Sequence, residues 1–210
     1  MEKFTYTPDD DVKIHPEGAI RLICGHFQSH EAGLPEWLKN SADAYAREKD
    51  APMAKRTIFV IFDHDHKDRK PSISVLDFSG MTSSVIEDSF RNWADPEAAK
   101  GEDPTIAVQG GHGNGGKCYM TQMFDDYAFI HTVKNDKGNL YGITGGAIIF
   151  GYVPNPEKGR NFHVDNKIVE LNKVLNNVGC SLPEIQKVAS EAIRMADGFT
   201  LITGLGPKGY

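Results

Sequence analysis

The sequence predicts an α+β fold, with helices covering one face of a mixed, mostly antiparallel sheet. Segments with strand-like and helix-like patterns are mixed along the chain, they do not follow strict βαβ alternation, and turns join successive strand-like runs. The 210 residues are 40% hydrophobic and 25% charged, as in ordinary globular proteins, and can bury a sizeable core. We therefore expect one domain over residues 1–210.

Helical periodicity is clearest in three segments. In residues 34–49, apolar residues recur at steps of three and four, and Pro35 fits the first turn, where its missing N–H costs nothing. Residues 166–176 and 183–196 carry apolar residues that we expect to cover the sheet. Residues 19–27 fit either the end of a strand or a short helix.

Strand-like runs occur in two pairs. Residues 57–62 and 72–76 are rich in β-branched and aromatic residues and flank a charged segment, which predicts a hairpin. Residues 127–133 and 140–152 predict a second pair of strands. The remaining predicted elements are two helices and a last strand, over residues 83–93, 118–124 and 199–203.

Charge and cysteine usage exclude several classes of protein. The formal net charge of −6 argues against nucleic-acid binding through bulk positive charge. Cys24, Cys118 and Cys180 are far apart and odd in number, which argues against a disulfide framework or a cysteine zinc site and favours a reducing compartment. No run approaches the roughly 18 apolar residues of a membrane span, and the start has no signal-peptide pattern. We therefore expect a cytoplasmic protein without membrane contact.

The helix predicted over residues 34–49 carries Glu36, Asn40 and Asp43 on one face, because steps of four and three residues return to the same side of a helix. This face is distinct from the apolar one. An amide oxygen can ligate magnesium together with waters and phosphate oxygens, and a carboxylate one turn away can deprotonate a water. The alternative interpretation is an exposed polar helix face.

A polar turn follows the strand predicted over residues 72–76, with the sequence Asp77-Phe78-Ser79-Gly80-Met81-Thr82. An aspartate at the end of a strand, beside a turn of small residues, can accept a hydrogen bond from an exocyclic amine. The alternative interpretation is that Asp, Ser and Gly simply make a turn here.

Residues 110–117 form a glycine-rich loop, Gly110-Gly111-His112-Gly113-Asn114-Gly115-Gly116-Lys117. Backbone N–H groups of such a loop can surround an anion, the following helix adds its dipole, and the lysine adds a positive charge. Residues 111–117 fit the first part of a Walker loop, but Cys118 stands where that loop needs Ser or Thr. A flexible linker is the alternative, and His112 fits either a phosphate contact or an ordinary loop position.

Taken together in this order, the three segments resemble the ATP-binding domain shared by DNA gyrase, the ninety-kilodalton heat-shock chaperone, histidine kinases and MutL. This is the GHKL, or Bergerat-fold, superfamily. Residues 36–44 are similar to its N-box, residues 77–81 to its aspartate–glycine box, and residues 110–117 to its glycine-rich lid, most closely in the MORC-type ATPases. Gly198-Phe199-Thr200 resembles its Gly-Thr strand, although Phe199 separates the two residues. The resemblance extends over residues 15–206.

The resemblance implies a Bergerat-type two-layer α/β sandwich with one nucleotide site. In that site Glu36 is the catalytic residue that activates water, Asn40 holds magnesium, and Asp77 binds the adenine amine. The further nucleotide-binding residues that the resemblance implies are Asp43, Gly80, Met81, Gly110, Gly111, His112, Gly113, Asn114, Gly115, Gly116, Lys117 and Thr200.

The implied activity is binding of Mg-ATP and slow hydrolysis to ADP and phosphate, with closure of the lid and a nucleotide-dependent homodimer. One alternative is a non-hydrolysing module in which the nucleotide only gates an interaction. A weaker alternative is a histidine-kinase-like catalytic domain, a family that lacks the glutamate four residues before the asparagine. Because relatives continue into a transducer domain, we expect either the N-terminal part of a longer protein or a minimal stand-alone member.

One further cluster, Asp63-His64-Asp65-His66, has residue types that bind metals. It lies between two predicted hairpin strands, and strand alternation points neighbouring side chains to opposite faces. The sequence therefore favours a charged hairpin loop over a metal site.

Overall fold

The computed structural model describes residues 16–25, 29–48, 50–64, 67–93, 114–136, 138–145 and 161–209, which form an α+β fold with an antiparallel sheet. No helix in these ranges is long and apolar enough to cross a membrane. The helices are α1 (Pro16–Cys24), α2 (His30–Arg47), α3 (Ser83–Ile86), α4 (Gly115–Gln122), α5 (Lys167–Asn177) and α6 (Leu182–Met195). The strands are β1 (Phe59–Asp63), β2 (Ser72–Asp77), β3 (Phe124–Asp136), β4 (Asn139–Gly145), β5 (Asn161–His163) and β6 (Gly198–Pro207).

The described strands form a single sheet in the order β1-β2-β6-β3-β4-β5, and neighbouring strands are antiparallel throughout. The predicted α+β class and the predicted hairpin of β1 and β2 are therefore confirmed. Strand β6, the last of the described strands along the chain, inserts between β2 and β3 at the centre of the sheet. This insertion brings Thr200 opposite Asp77.

Helices pack on both faces of the sheet, so the prediction that they cover one face is wrong. Strand β6 alternates between the two layers: Phe199 and Leu201 join the core beneath α5 and α6, whereas Ile202 joins the core beneath α2 and α4. We call these the α5–α6 face and the α2–α4 face. Helical periodicity predicts which side of a helix is buried, but not which face of a sheet that side meets.

The observed helix boundaries depart from the predicted ones where caps decide them. Helix α2 begins at His30 because the Ser29 side chain accepts a hydrogen bond from the Ala32 amide, so Pro35 lies inside the helix and not in its first turn. Residues 19–27 contain the end of α1, and the helix predicted over residues 83–93 is α3 continued by a π-helical turn over Glu87–Arg91. The short strand β5 was not predicted.

Candidate functional site

The polar face of α2 lies directly against the first residues of α4. A Cβ atom added to Gly115 would lie 2.1 Å from the Glu36 Oε2 atom, and one added to Gly116 would lie 2.6 Å from the Asn40 Nδ2 atom. A side chain at either glycine would displace the Glu36 or Asn40 side chain from this position, so two residues of the glycine-rich loop meet two of the predicted N-box residues. Asp43, one turn further along α2, is buried. The structure therefore joins two segments that the sequence separates by some seventy-five residues.

The apolar side of α2 fixes how α4 sits against it. Trp37 Nε1 donates a hydrogen bond to the Gly116 carbonyl oxygen over 3.1 Å, and the indole is fully buried. Its ring lies edge-on to Tyr119 at 4.6 Å and stacks on Phe124 at 5.5 Å between ring centroids. Aromatic pairs of this kind restrict the position of both elements. The spacing between Glu36 and the start of α4 is thus set by a rigid aromatic cluster.

Asp77 lies at the end of β2 and is hydrogen-bonded to helix α2. Ser41 Oγ donates to the Asp77 Oδ2 atom over 2.7 Å, and the Ser79 amide donates to Oδ1 over 3.0 Å. Burial raises the pKa of Asp77 to about 6, although these hydrogen bonds favour the ionised form and oppose the shift. The sheet and α2 therefore meet at a buried carboxylate that titrates close to neutral pH.

A row of polar side chains crosses three strands beside this carboxylate. Asp77 of β2 is opposite Thr200 of β6, which is opposite Thr132 of β3. The hydroxyl oxygens of Thr132 and Thr200 lie 3.0 Å apart, and Thr132 Oγ1 also donates to the Phe199 carbonyl oxygen and accepts from the Met81 amide, each over 2.8 Å. The predicted residues Asp77 and Thr200 are therefore neighbours across two strands, and the Met81 amide is hydrogen-bonded to Thr132 beside them.

Glycine at position 80 is required by the turn that follows Asp77. Its φ is +73°, and an added Cβ atom would lie 2.3 Å from the Val133 carbonyl oxygen of β3. A side chain here would be strained and would also clash with backbone. Gly80 therefore lets the turn fold against β3 and brings the Met81 amide to Thr132.

A charged network holds Ser79, which precedes Gly80 in this turn. Ser79 Oγ donates to Glu48 Oε1 over 2.8 Å, and Lys134 Nζ donates to the Ser79 carbonyl oxygen over 2.7 Å and to Glu48 over 3.0 Å. Burial alone would raise the pKa of Glu48, but hydrogen bonds with Lys55, Ser79 and Lys134 outweigh it and lower that pKa. The C-terminal end of α2 is thereby tied to the turn after β2.

Lys117, predicted to contact phosphate, is bonded to backbone carbonyl groups in this structure. Its side chain is 2% exposed, and Nζ donates to the Ser89 carbonyl oxygen over 2.9 Å and to that of Asn92 over 2.5 Å. The ammonium also lies 4.7 Å from the centre of the Trp93 ring. The phosphate role of Lys117 therefore stays a prediction, and it requires the ammonium to exchange these carbonyls for a ligand.

Several predicted positions lie outside the described residues. They are Gly110, Gly111, His112 and Gly113 of the glycine-rich loop, and Asp65 and His66 of the charged cluster. Within that cluster, Asp63 pairs with Arg69, the two atoms Oδ2 and Nε being 2.9 Å apart. In the parts of the chain that the structure describes, His, Cys, Asp and Glu form no group able to hold a metal ion. Asp63 itself is the last residue of β1 and so precedes the hairpin turn.

Sequence reasoning assigned no role to Ser41 or Thr132. Ser41 could have been found, since it follows Asn40 directly and its hydroxyl is a small polar group at a position that faces the sheet. Thr132 carried no local signal, because it lies in a β-branched run that reads as ordinary strand. Its role depends on pairing with β6, which is distant in sequence.

No model of a known protein family matches the chain, and no curated protein matches it either. The chemical capacity of the site is therefore judged from its residues. The Glu36 carboxylate and the Asn40 amide of α2 lie beside the start of α4. The side chain of Asn114 does not cap this helix, and backbone N–H groups in the first turn of a helix can bind an anion. A buried carboxylate, Asp77 at the end of β2, accepts a hydrogen bond from Ser41 of α2.

Proposed function

We propose that the protein binds Mg-ATP in a Bergerat-type site of the GHKL kind and hydrolyses it slowly to ADP and phosphate. One observation carries the proposal: the predicted motif segments, distant in sequence, converge on the α2–α4 face. Glu36 and Asn40 contact the glycines that open α4, and Ser41 of the same helix bonds Asp77. If these segments were only ordinary turns and an exposed polar helix face, nothing would require them to lie together.

The end of β2 is suited to an adenine ring. An ionised carboxylate accepts about four hydrogen bonds, so Asp77 can accept one from an exocyclic amine in addition to those from Ser41 and Ser79. Thr200 and Thr132 line the sheet beside it and supply hydroxyl groups of defined orientation. Because Asp77 is buried, a hydrogen bond made there is stronger than one made in water.

The start of α4 is suited to the phosphates. Gly115 and Gly116 lie in the first turn of α4, where backbone N–H groups have no acceptor within the helix, and the helix dipole favours a negative charge there. The amide of Asn40 would hold magnesium, which neutralises phosphate charge when it is bound. Glu36 would accept the proton of a water that attacks the γ-phosphorus, while the bond to the β-phosphate oxygen breaks.

Closure of the glycine-rich lid, residues 110–117, and a nucleotide-dependent homodimer are part of the proposal. Closure would require Lys117 to leave the carbonyl groups of Ser89 and Asn92 for the phosphates. We also propose that the protein works in the cytoplasm. A module that binds nucleotide without turnover has the same binding site, so only a rate measurement separates it from the ATPase.

Calorimetric titration with ADP tests the adenine contact. We expect Asp77→Asn to weaken ADP binding by roughly ten- to hundredfold, because a hydrogen bond to a charged group contributes about 1.5–3 kcal/mol. Asp68→Asn is the matched control, since Asp68 is exposed in the hairpin turn between β1 and β2. Absence of ADP binding to the unaltered protein, or equal affinity of all three proteins, would contradict the proposed site.

A further inference from the structure

Two of the three cysteines are in contact, although the sequence gives no sign of it. Cys24, the last residue of α1, and Cys118, in α4, share a hydrogen bond with their sulfur atoms 2.9 Å apart across 94 residues of chain. Both are buried. Cys180 is only partly buried, and its thiol donates to the carbonyl oxygen of the adjacent Ser181. The contact is therefore specific to one pair of helices.

We propose that Cys24 and Cys118 are a thiol oxidation site, at which a peroxide converts the pair into a reversible disulfide between α1 and α4. To form the bond, the two sulfur atoms must move closer by about 0.9 Å, from 2.9 Å to the length of an S–S bond, about 2.05 Å. Both residues lie in helices that already pack together, so a small side-chain movement suffices. Formation of the disulfide does not depend on the proposed nucleotide function.

The surroundings make the two thiols chemically unequal. The hydrogen bond with Cys118 lowers the pKa of Cys24, and the nearby Lys117 ammonium and Thr121 hydroxyl act in the same direction against the effect of burial. The pKa of Cys118 is raised, because its thiol is the group that stays protonated beside a Cys24 thiolate. In the proposed reaction Cys24 reacts first, since the thiolate is the nucleophilic form, and the same disulfide results if Cys118 reacts first.

The reaction balances with hydrogen peroxide as the oxidant. The Cys24 thiolate attacks one peroxide oxygen, the O–O bond breaks, and a sulfenic acid forms while the other oxygen leaves as water after taking a proton. The Cys118 sulfur then displaces hydroxide from the Cys24 sulfur, its own proton completing a second water. Two thiols are oxidised by two electrons in total, and one peroxide is reduced to two waters.

Access to the buried pair comes from α1, which is a nine-residue helix. A helix this short opens locally at a lower free energy than the central strands of the sheet. Once formed, the disulfide would tie α1 to α4, whose first turn contacts Glu36 and Asn40. If the proposed function is correct, oxidation also restrains the helix that receives the phosphates.

Thiol counting and peptide mapping of the whole protein test the proposal. We treat reduced protein with a small excess of hydrogen peroxide, remove the peroxide, and count the remaining thiols in denaturant. We expect two of three thiols to be lost, a non-reduced digest in which the Cys24 and Cys118 peptides are linked, and full recovery with a dithiol reductant. Cys180→Ser is the matched control and should form the same link and lose both of its thiols.

Three results would overturn the proposal. They are retention of all three thiols after peroxide treatment, a link that contains Cys180, and a link found only between chains in dimers on a non-reducing gel. Cys118→Ala should form no link to Cys24. If that variant does not fold, the map of the unaltered protein and of Cys180→Ser decides the question alone. Absence of nucleotide binding would leave all of these outcomes unchanged, so failure of the two proposals can be distinguished.

Discussion

The two faces of the sheet use the same strands for different purposes. On the α5–α6 face, Phe199 and Leu201 of β6 pack among aliphatic side chains of both helices. The hydroxyl groups of Ser74 and Thr203 lie on this face as well and are hydrogen-bonded to each other over 2.9 Å. On the α2–α4 face, Thr200 of the same strand lies in the polar row with Asp77. Neighbouring residues of one strand thus serve a core and a candidate site.

Because of this difference, neighbouring residues of one strand are expected to affect different properties, one the folding stability and the next the binding of a ligand. The α5–α6 face is a mostly apolar core that also buries the His131–Glu170 pair, and we expect changes in its apolar residues to act on the free energy of unfolding. The α2–α4 face places a carboxylate, an amide and two glycines at the start of α4, where packing alone would favour apolar residues. Changes of the side chains proposed to bind nucleotide there should act on ligand binding and turnover, and buried Asp77 should in addition affect stability; the predictions below test this division.

The largest expected effect is on turnover. If Glu36 is the general base, Glu36→Ala should keep nucleotide binding but lower the rate of phosphate release under saturating Mg-ATP by about 10²–10⁴-fold. Asn40→Ala should instead weaken magnesium-dependent binding, because it removes a metal ligand and not a base. The control is Glu191→Ala, which removes an exposed carboxylate of α6 that pairs with Arg194 of its own helix.

Equal rates of phosphate release for the unaltered protein and Glu36→Ala would contradict hydrolysis by this residue. If ADP and ATP then still bound, the non-hydrolysing module would be the better description of the α2–α4 face. Loss of activity in Glu191→Ala would show instead that the division between the two faces is wrong.

The next effect belongs to the opposite face. Leu175 is fully buried in the α5–α6 core, so Leu175→Ala should lower the free energy of unfolding by about 2–5 kcal/mol. Val169→Ala, on the same helix at 66% exposure, should change it by less than about 0.5 kcal/mol. Denaturant titration measures both values. ADP affinity of folded Leu175→Ala should equal that of the unaltered protein, and a tenfold loss would show that the faces are coupled.

The smallest effect is the pH dependence of stability that Asp77 contributes. Its pKa is about 6 in the folded protein, above the 3.8 that is usual for an aspartate side chain, so the folded state binds more protons between these pH values. The free energy of unfolding therefore falls as pH rises from about 4 to 6, by up to about 3 kcal/mol from this group. Asp77→Asn lacks this contribution.

Denaturant titrations of both proteins between pH 4 and pH 7 measure the effect as a difference. Relative to Asp77→Asn, the unaltered protein should lose stability as pH rises through this window and stay level above it. A constant difference across the window would show that Asp77 is not held in a buried, charge-disfavouring position.

The elements that were predicted well have strong local patterns. Helices α5 and α6 and the hairpin of β1 and β2 follow from periodicity and turn residues within each segment. Strand β5 escaped notice because its three residues are too few for a pattern to show. The placement of helices on both faces was missed because it depends on how distant segments pack, and amphipathic spacing carries no such information.

The candidate site also has features that the sequence predicts and features that only tertiary packing determines. The spacing of Glu36 and Asn40 was visible in the sequence, whereas their contact with Gly115 and Gly116 required the packing of Trp37. The carbonyl partners of Lys117 could not be predicted, since Ser89 lies within a π-helical turn and Asn92 directly after it, and this turn has no clear sequence signature. Local composition thus revealed the candidate residues, and tertiary packing determined which of them meet.

The central position of β6 has a consequence for how the chain folds. The β1–β2 and β3–β4 hairpins can each form from nearby residues, but β2 and β3 are joined only through β6. Until residues 198–207 arrive, both hairpins expose unpaired inner edges, which are surfaces prone to association with other chains. Completion of the sheet depends on contacts of long sequence separation, and such contacts slow folding. In a newly made chain, the 197 residues before β6 are therefore synthesised before the sheet can close.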